Sequence, residues 1–276
     1  MSWRTIRTGF LIGLIILNIV LFWATRVVRD QRYTAKEENM ERILELYKEN
    51  GISIQCILNR EGYPKPLYRM GEASLFNRQM IERFLGSEYQ TAYMTARQSR
   101  YTTDTAMLRL DPDNHLLTLQ SSGEPLRWQS RNLMSIAQSW VERTVGSEWV
   151  CTEYQVDEAL AEFIFTQYTN GLYLYFNHMI VRLHPDGTLR IFLQYYEPEG
   201  FEAGAQEIRP LDELMYGAMK TILQRCAPEN RVVEELRYGY DSNDRSESAY
   251  CLEFVLAGGR TVRVNAFTNE VLNPNG

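Results

Sequence analysis

The sequence predicts an α+β protein: one N-terminal transmembrane helix, then tandem modules in which a helix packs on an antiparallel sheet. Three observations carry this expectation. A single uncharged stretch of span length, Thr8 to Thr25, stands near the start of the chain. Beyond it, amphipathic helix patterns alternate with strand patterns that end in hairpins. The hairpin turns centre on Asp113, Asp186 and Gly258, 73 and 72 residues apart.

The stretch "TGFLIGLIILNIVLFWAT" is bounded by Arg7 and Arg26. As a helix it reaches about 27 Å at ~1.5 Å per residue, close to the hydrocarbon thickness of a bilayer. A cleaved signal peptide needs a small-residue site after the apolar run, and "FWATRVVRDQRY" supplies a poor one. The expectation is an uncleaved signal anchor, with residues 1–7 as a cytoplasmic tail and 8–25 as the span. Arginines flank both sides, so the positive-inside rule does not choose the orientation. The short tail and large following body favour an extracytoplasmic body. Within the span, Gly9 and Gly13 have the Gly-x-x-x-Gly spacing that lets a second helix approach closely. Asn18 lies about 140° around the helix from Gly13 and about 180° from Gly9, and an amide in lipid seeks a partner. Gly9, Gly13 and Asn18 are therefore candidate helix–helix contact residues on two faces.

Thr34 and Glu37 have capping-box spacing, and Met40, Ile43, Leu44 and Tyr47 then repeat as a helical stripe that ends at Gly51. "ISIQCIL" (52–58) reads as a short strand and "EGYPKPLY" as a Pro-rich loop or edge. The first module has helix "FNRQMIERFLG", strands near 89–98 and hairpin "MLRLDPDNHLLTLQ". The second has helix "RNLMSIAQSWVERTVG", strands near 148–156 and 161–168, and hairpin "MIVRLHPDGTLRIFLQYY". The third has helix "PLDELMYGAMKTILQRC", strand "RVVEELRYGY" and hairpin "YCLEFVLAGGRTVRVNAF". Pro-Asp-Asn, Pro-Asp-Gly and Gly-Gly are all turn formers. In the last hairpin Leu252, Phe254 and Leu256 share one face, and Cys251, Glu253 and Val255 the other. The polar "SSGEPLRW" (121–128) marks a boundary. It places a juxtamembrane helix and first α+β domain over 26–125 and a second domain over 126–276.

Charge limits the partners. Removing Arg4, Arg7 and Arg26, which precede Asp30, from the 29 basic residues leaves 26 against 35 acidic ones, a net of −9 for the remainder. Such a body argues against nucleic acid and anionic membrane surfaces. Cys56, Cys151, Cys226 and Cys251 contain no Cys-x-x-Cys. Cys226 and Cys251 are the candidate disulfide pair, with buried free thiols as the alternative. His178 and His184 share strand parity but lie about 20 Å apart at ~3.3 Å per residue, too far to share a metal. "DPDNH" and "DSNDRSE" lack the calcium-loop spacing. Asp111 and Asp113 fit a turn, while Asp241, Asn243, Asp244 and Glu247 fit a solvated loop. No nucleophile–base constellation, phosphate loop or zinc signature stands out, so no catalytic, cofactor or metal residues are expected. "LYLYF" and "LQYYEPEGF" place Tyr173, Tyr175, Tyr195 and Tyr196 as candidate interface aromatics, or as sheet core.

"MSWRTIRTGFLIGLIILNIVLFW", "ENMERILELYKENGISI", "NGLYLYFNHMIVRLHPDGTLRIFLQYYEP" and "AYCLEFVLAGGRTVRVNAFTNEVL" resemble the YycI family over nearly the whole chain. These are accessory regulatory proteins of the essential cell-wall two-component system (WalK/WalR, also YycG/YycF) of low-GC Gram-positive bacteria. The last hairpin also looks like the end of a PepSY-type module. The resemblance implies a single-pass cell-membrane protein with a cytoplasmic N-terminus and no enzymatic activity. It implies association with a sensor histidine kinase and a YycH-like sister protein. The alternative function is a membrane-tethered PepSY-like chaperone or inhibitor of an extracytoplasmic hydrolase or protease. A ligand sensor using the aromatic strands is a third class.

Overall fold

The computed structural model describes residues 37–58, 67–71, 77–95, 98–201, 208–244 and 247–272. The predicted span, with Gly9, Gly13 and Asn18, and the capping residue Thr34 lie outside these. Among the described residues no helix is long and apolar enough to cross a membrane. The chain divides into two compact units, Met1–Ile52 and Ser53–Gly276.

In the first unit, residues 37–49 form helix α1. Met40 and Tyr47, of the predicted stripe, are buried. The helix ends as expected at Gly51, whose φ of 69° glycine adopts without a Cβ clash.

The second unit is α+β, with a large, mostly antiparallel sheet. Its elements, in order, begin with β1 (Ser53–Ile54), β2 (Leu67–Gly71), α2 (Arg78–Leu85), β3 (Gln90–Met94), β4 (Ser99–Thr102), β5 (Ala106–Asp111) and β6 (Leu116–Ser121). Then come α3 (Ser130–Thr144), β7 (Trp149–Val156), β8 (Ala161–Thr169), β9 (Leu172–Leu183), β10 (Leu189–Gln194) and β11 (Glu197–Phe201). The last are α4 (Leu211–Arg225), β12 (Val232–Asp244), β13 (Glu247–Leu256), β14 (Thr261–Asn265) and β15 (Val271–Leu272).

The three hairpins form at the predicted turns. Pro112–Asn114 is a single 3-10 turn between β5 and β6. Asp186 accepts the Thr188 N–H with its carboxylate at 2.8 Å between β9 and β10. Gly258 and Gly259, with φ of 81° and 76°, connect β13 and β14, a backbone region that glycine enters without steric cost.

The main sheet has 13 strands among the described residues, in the path β15-β14-β13-β12-β9-β10-β6-β5-β4-β3. β7 and β8 extend from β9 on its other side, and β1 pairs in parallel with β12. The β6–β10 pair joins strands on either side of the boundary placed at 125/126. The strand expected over 52–58 is only two residues long. β2 and β11 form a separate antiparallel pair that strand pattern did not reveal.

Helices α2 and α3 supply the core on one sheet face. Asn77 caps α2 by accepting the Met80 N–H at 3.1 Å, and Met80, Ile81 and Phe84 are buried. On α3, Leu133, Ala137 and Val141 recur every four residues and are fully buried. They pack with alternate residues of β9, Met179, Val181 and Leu183, and of β10, Leu189, Ile191 and Leu193. Helix α4 buries Leu214, Met215, Ala218 and Ile222 and packs along β14.

Candidate functional site

Strand register gathers two groups of charged residues. The first is buried. Glu253 of β13 lies opposite Arg237 of β12 and Arg263 of β14, so alternation puts all three on one face. Cys251 shares that face, and neither it nor Glu253 has exposed surface. Both carboxylate oxygens of Glu253 are used. Oε1 accepts from Arg263 Nε at 2.8 Å, and Oε2 accepts from the Tyr175 hydroxyl at 2.8 Å. Arg237 approaches Oε2 at 3.7 Å and pairs with Glu235 at 2.8 Å. The remaining Arg263 nitrogens meet Asp241 Oδ2 at 3.1 Å and Glu153 Oε1 at 3.6 Å. The guanidinium also lies 4.0 Å above the Tyr175 ring, a cation–π contact.

Burying charge is expensive unless it is paired, and here the pairing ties β7, β9, β12, β13 and β14 together. Burial alone would lower the Arg263 pKa, but Glu253 and Asp241 outweigh it and hold the guanidinium more firmly protonated than usual. Burial pushes up the Glu153 carboxyl, against the opposing effect of Arg263. Burial, then Asp241, drives the Cys251 thiol well above its ordinary range. Burial also raises Cys151 to about 11. Both thiols thus stay protonated and are poor nucleophiles at neutral pH.

The second group is open. The face of β4, β5, β6, β10 and β9 turned away from α3 forms a groove of about 300 Å³. Two rows cross it. In one, Arg100, Arg109, Thr118, Phe192 and Ile180 are successive cross-strand neighbours. In the other the order is Met107, Gln120, Arg190, Arg182 and Glu162. Arg100 therefore stands opposite Arg109, and Arg182 opposite Arg190. Glu162 forms an ion pair with Arg182. Among the described residues, no carboxylate pairs with Arg100, Arg109 or Arg190.

The residues singled out in the sequence are dispersed. Tyr175, Tyr195 and Tyr196 are about 5–6% exposed. Tyr175 lies on β9, while Tyr195 and Tyr196 lie between β10 and β11, and their burial fits the core reading that the sequence left open beside the interface one. Tyr173 is half-buried and stacks on Tyr175 with centroids 5.8 Å apart. Tyr196 stacks on His115 at 4.2 Å. All four cysteines are free thiols, and Cys226 and Cys251 are buried, which fits the alternative of buried free thiols. Asp241 belongs to β12 and is 4% exposed, so the predicted solvated loop is a continuation of the β12–β13 ladder. His178 and His184 lie on β9 and just beyond it, as parity predicted. Among the described residues no group of three His, Cys, Asp or Glu converges as a metal site.

Sequence reasoning missed both charged groups. A signal for the first was present: a turn centred on Gly258 pairs residue 253 with 263. The second depends on β6 pairing with β10, which no local pattern encodes.

No protein-family model and no curated protein matches the sequence. Among solved structures, the chain is similar to the Bacillus megaterium YpeB C-terminal domain, with a TM-score of 0.44 and 16% identity, covering 71% of this chain and 93% of that one. It is also similar to YycH from Bacillus subtilis, with a TM-score of 0.40 and 12% identity, covering 75% of this chain and 51% of that one. The chain thus spans about half of YycH.

Proposed function

We propose that this chain is a non-enzymatic, single-pass regulator that tunes a sensor histidine kinase of cell-wall homeostasis through protein contacts. Its N-terminus is cytoplasmic and its body extracytoplasmic. The observation that carries the reading is the contrast between the two charged groups. The buried group is closed by mutual pairing, as a structural lock is. The open groove combines Arg100 and Arg190, which no carboxylate meets among the described residues, and Arg109, whose guanidinium donates to the Gln98 side-chain oxygen, with Met107, Ile180 and Phe192, the mixture that protein interfaces favour. The YycI resemblance supplies the kinase as partner and the span as a second contact. Unequal affinity for two kinase states would shift their populations.

The test is a pull-down of tagged full-length protein from native membranes, read by mass spectrometry, with a reporter of kinase output in parallel. Recovery of a histidine kinase, and altered output on deletion, is expected. Recovery of a wall hydrolase or protease without a kinase would move the reading to the PepSY-like inhibitor.

A further inference from the structure

We infer that the open groove binds an extended, acidic segment of a protein partner in which apolar side chains alternate with carboxylates. The inference deepens the regulatory reading above and rests on it for the partner being a protein. Its foundation is the register. Like charges directly opposite on neighbouring strands repel, yet Arg100 faces Arg109 and Arg190 faces Arg182 across adjacent strands. Only Glu162 offsets them within the two rows, in a chain whose net charge is −6. A positive face on an acidic protein concentrates acidic partners and rejects basic ones.

The chemistry of the occupant follows from what separates the arginines. Guanidinium groups donate bidentate hydrogen bonds to carboxylates. Phe192 and Ile180 continue the row that Arg100 and Arg109 begin. Met107, 38% exposed, heads the other. A polyphosphate chain would satisfy the arginines and leave these apolar surfaces against water or charge. A peptide with alternating carboxylate and apolar side chains satisfies both.

The experiment uses the full chain in phosphatidylcholine nanodiscs and a fluorescein-labelled peptide of alternating glutamate and leucine, followed by anisotropy. Binding is expected to weaken with added salt. Arg109→Glu and Arg190→Glu should each weaken it by about tenfold or more, the factor one charge-assisted hydrogen bond carries. Arg190→Gln, with its melting temperature measured alongside, reports the same loss without charge reversal. A lysine–leucine peptide should not bind. The inference is overturned if the glutamate–leucine peptide fails to bind, or if folded variants bind it as well as the parent. It is also overturned if a glutamate–serine peptide or linear polyphosphate binds equally tightly, which would make the site a general anion surface. Kinase capture by both parent and Arg109→Glu/Arg190→Glu chains would retain the regulatory reading and remove the groove from it. Peptide binding without kinase capture would do the reverse.

Discussion

The side-chain amide of Asn177 bonds to both backbone groups of Tyr196. Asn177 Nδ2 donates to the Tyr196 carbonyl at 2.8 Å, and Oδ1 accepts from the Tyr196 N–H at 2.7 Å. Nδ2 also donates to Gln167 Oε1 at 2.7 Å. Asn177 lies where the β8–β9 ladder skips residues, between Gln167↔Leu174 and Thr166↔His178. The amide therefore carries the bonding between β9 and the chain after β10 past the last backbone pair, Gln194↔His178.

Asn177→Ala should be strongly destabilising. It strands the Tyr196 N–H and carbonyl and the Gln167 oxygen in a buried site, and each orphaned group costs about 1–3 kcal/mol. Urea unfolding of the full chain should show a loss of at least about 3 kcal/mol on that basis. A change within the noise would remove Asn177 from this role.

Arg263→Met should cost about 3–5 kcal/mol, the usual penalty for breaking a buried ion pair from one side. Adding Glu253→Gln should restore part of that loss, because a carboxylate without its closest cation is no longer buried. A double-mutant cycle measures this coupling. Strict additivity would show that Glu253 and Arg263 do not share one energetic unit.

Gly239 is a position of close approach. A Cβ there would stand 2.3 Å from the Tyr173 carbonyl oxygen and 2.6 Å from the Tyr175 ring. Gly239→Ala must push β12 from β9, at a cost of about 3 kcal/mol, with faster hydrogen exchange at the amides of both strands. Gly200→Ala, with open space around its Cβ, should stay within about 0.5 kcal/mol of the parent.

Burial lowers the His178 pKa below its ordinary 6.5, with Arg263 acting in the same direction and Asp241 against it. Between the lowered folded value and 6.5, the unfolded chain binds more protons than the folded one. Stability from this group is complete above pH 6.5 and declines as pH falls toward the folded value. His178→Gln should flatten that part of a pH–melting curve. An unchanged slope would show that His178 does not contribute to it.

Local order was legible in the sequence. Helix stripes such as Leu133, Ala137 and Val141 repeat within a few residues, and Gly258–Gly259 dictates its turn through backbone conformation. The elements of the three predicted modules appear close to their expected positions. β11 was hidden because Pro198 and Gly200 give it poor strand composition. Glu253 illustrates a different limit. Its strand parity was clear, but the Tyr175 hydroxyl that meets it comes from β9, which pairs in parallel with β12 between residues far apart in the chain. The groove arginines have the same origin: each alternates correctly on its own strand, and only strand order puts them side by side.

The 12-residue β9 takes β12 as a neighbour near Tyr173 and Leu174, and β10 as a neighbour from His178 onward. It is the keystone of the repeats. The three helix-and-hairpin passages resemble interchangeable cassettes, but the middle one alone touches both others, the third through β9 and the first through β10. A chimera that exchanges the first or last passage with a foreign counterpart has one seam to match. Exchanging the middle passage requires two seams to match at once, so recombination should respect the β9–β10 hairpin as an indivisible block.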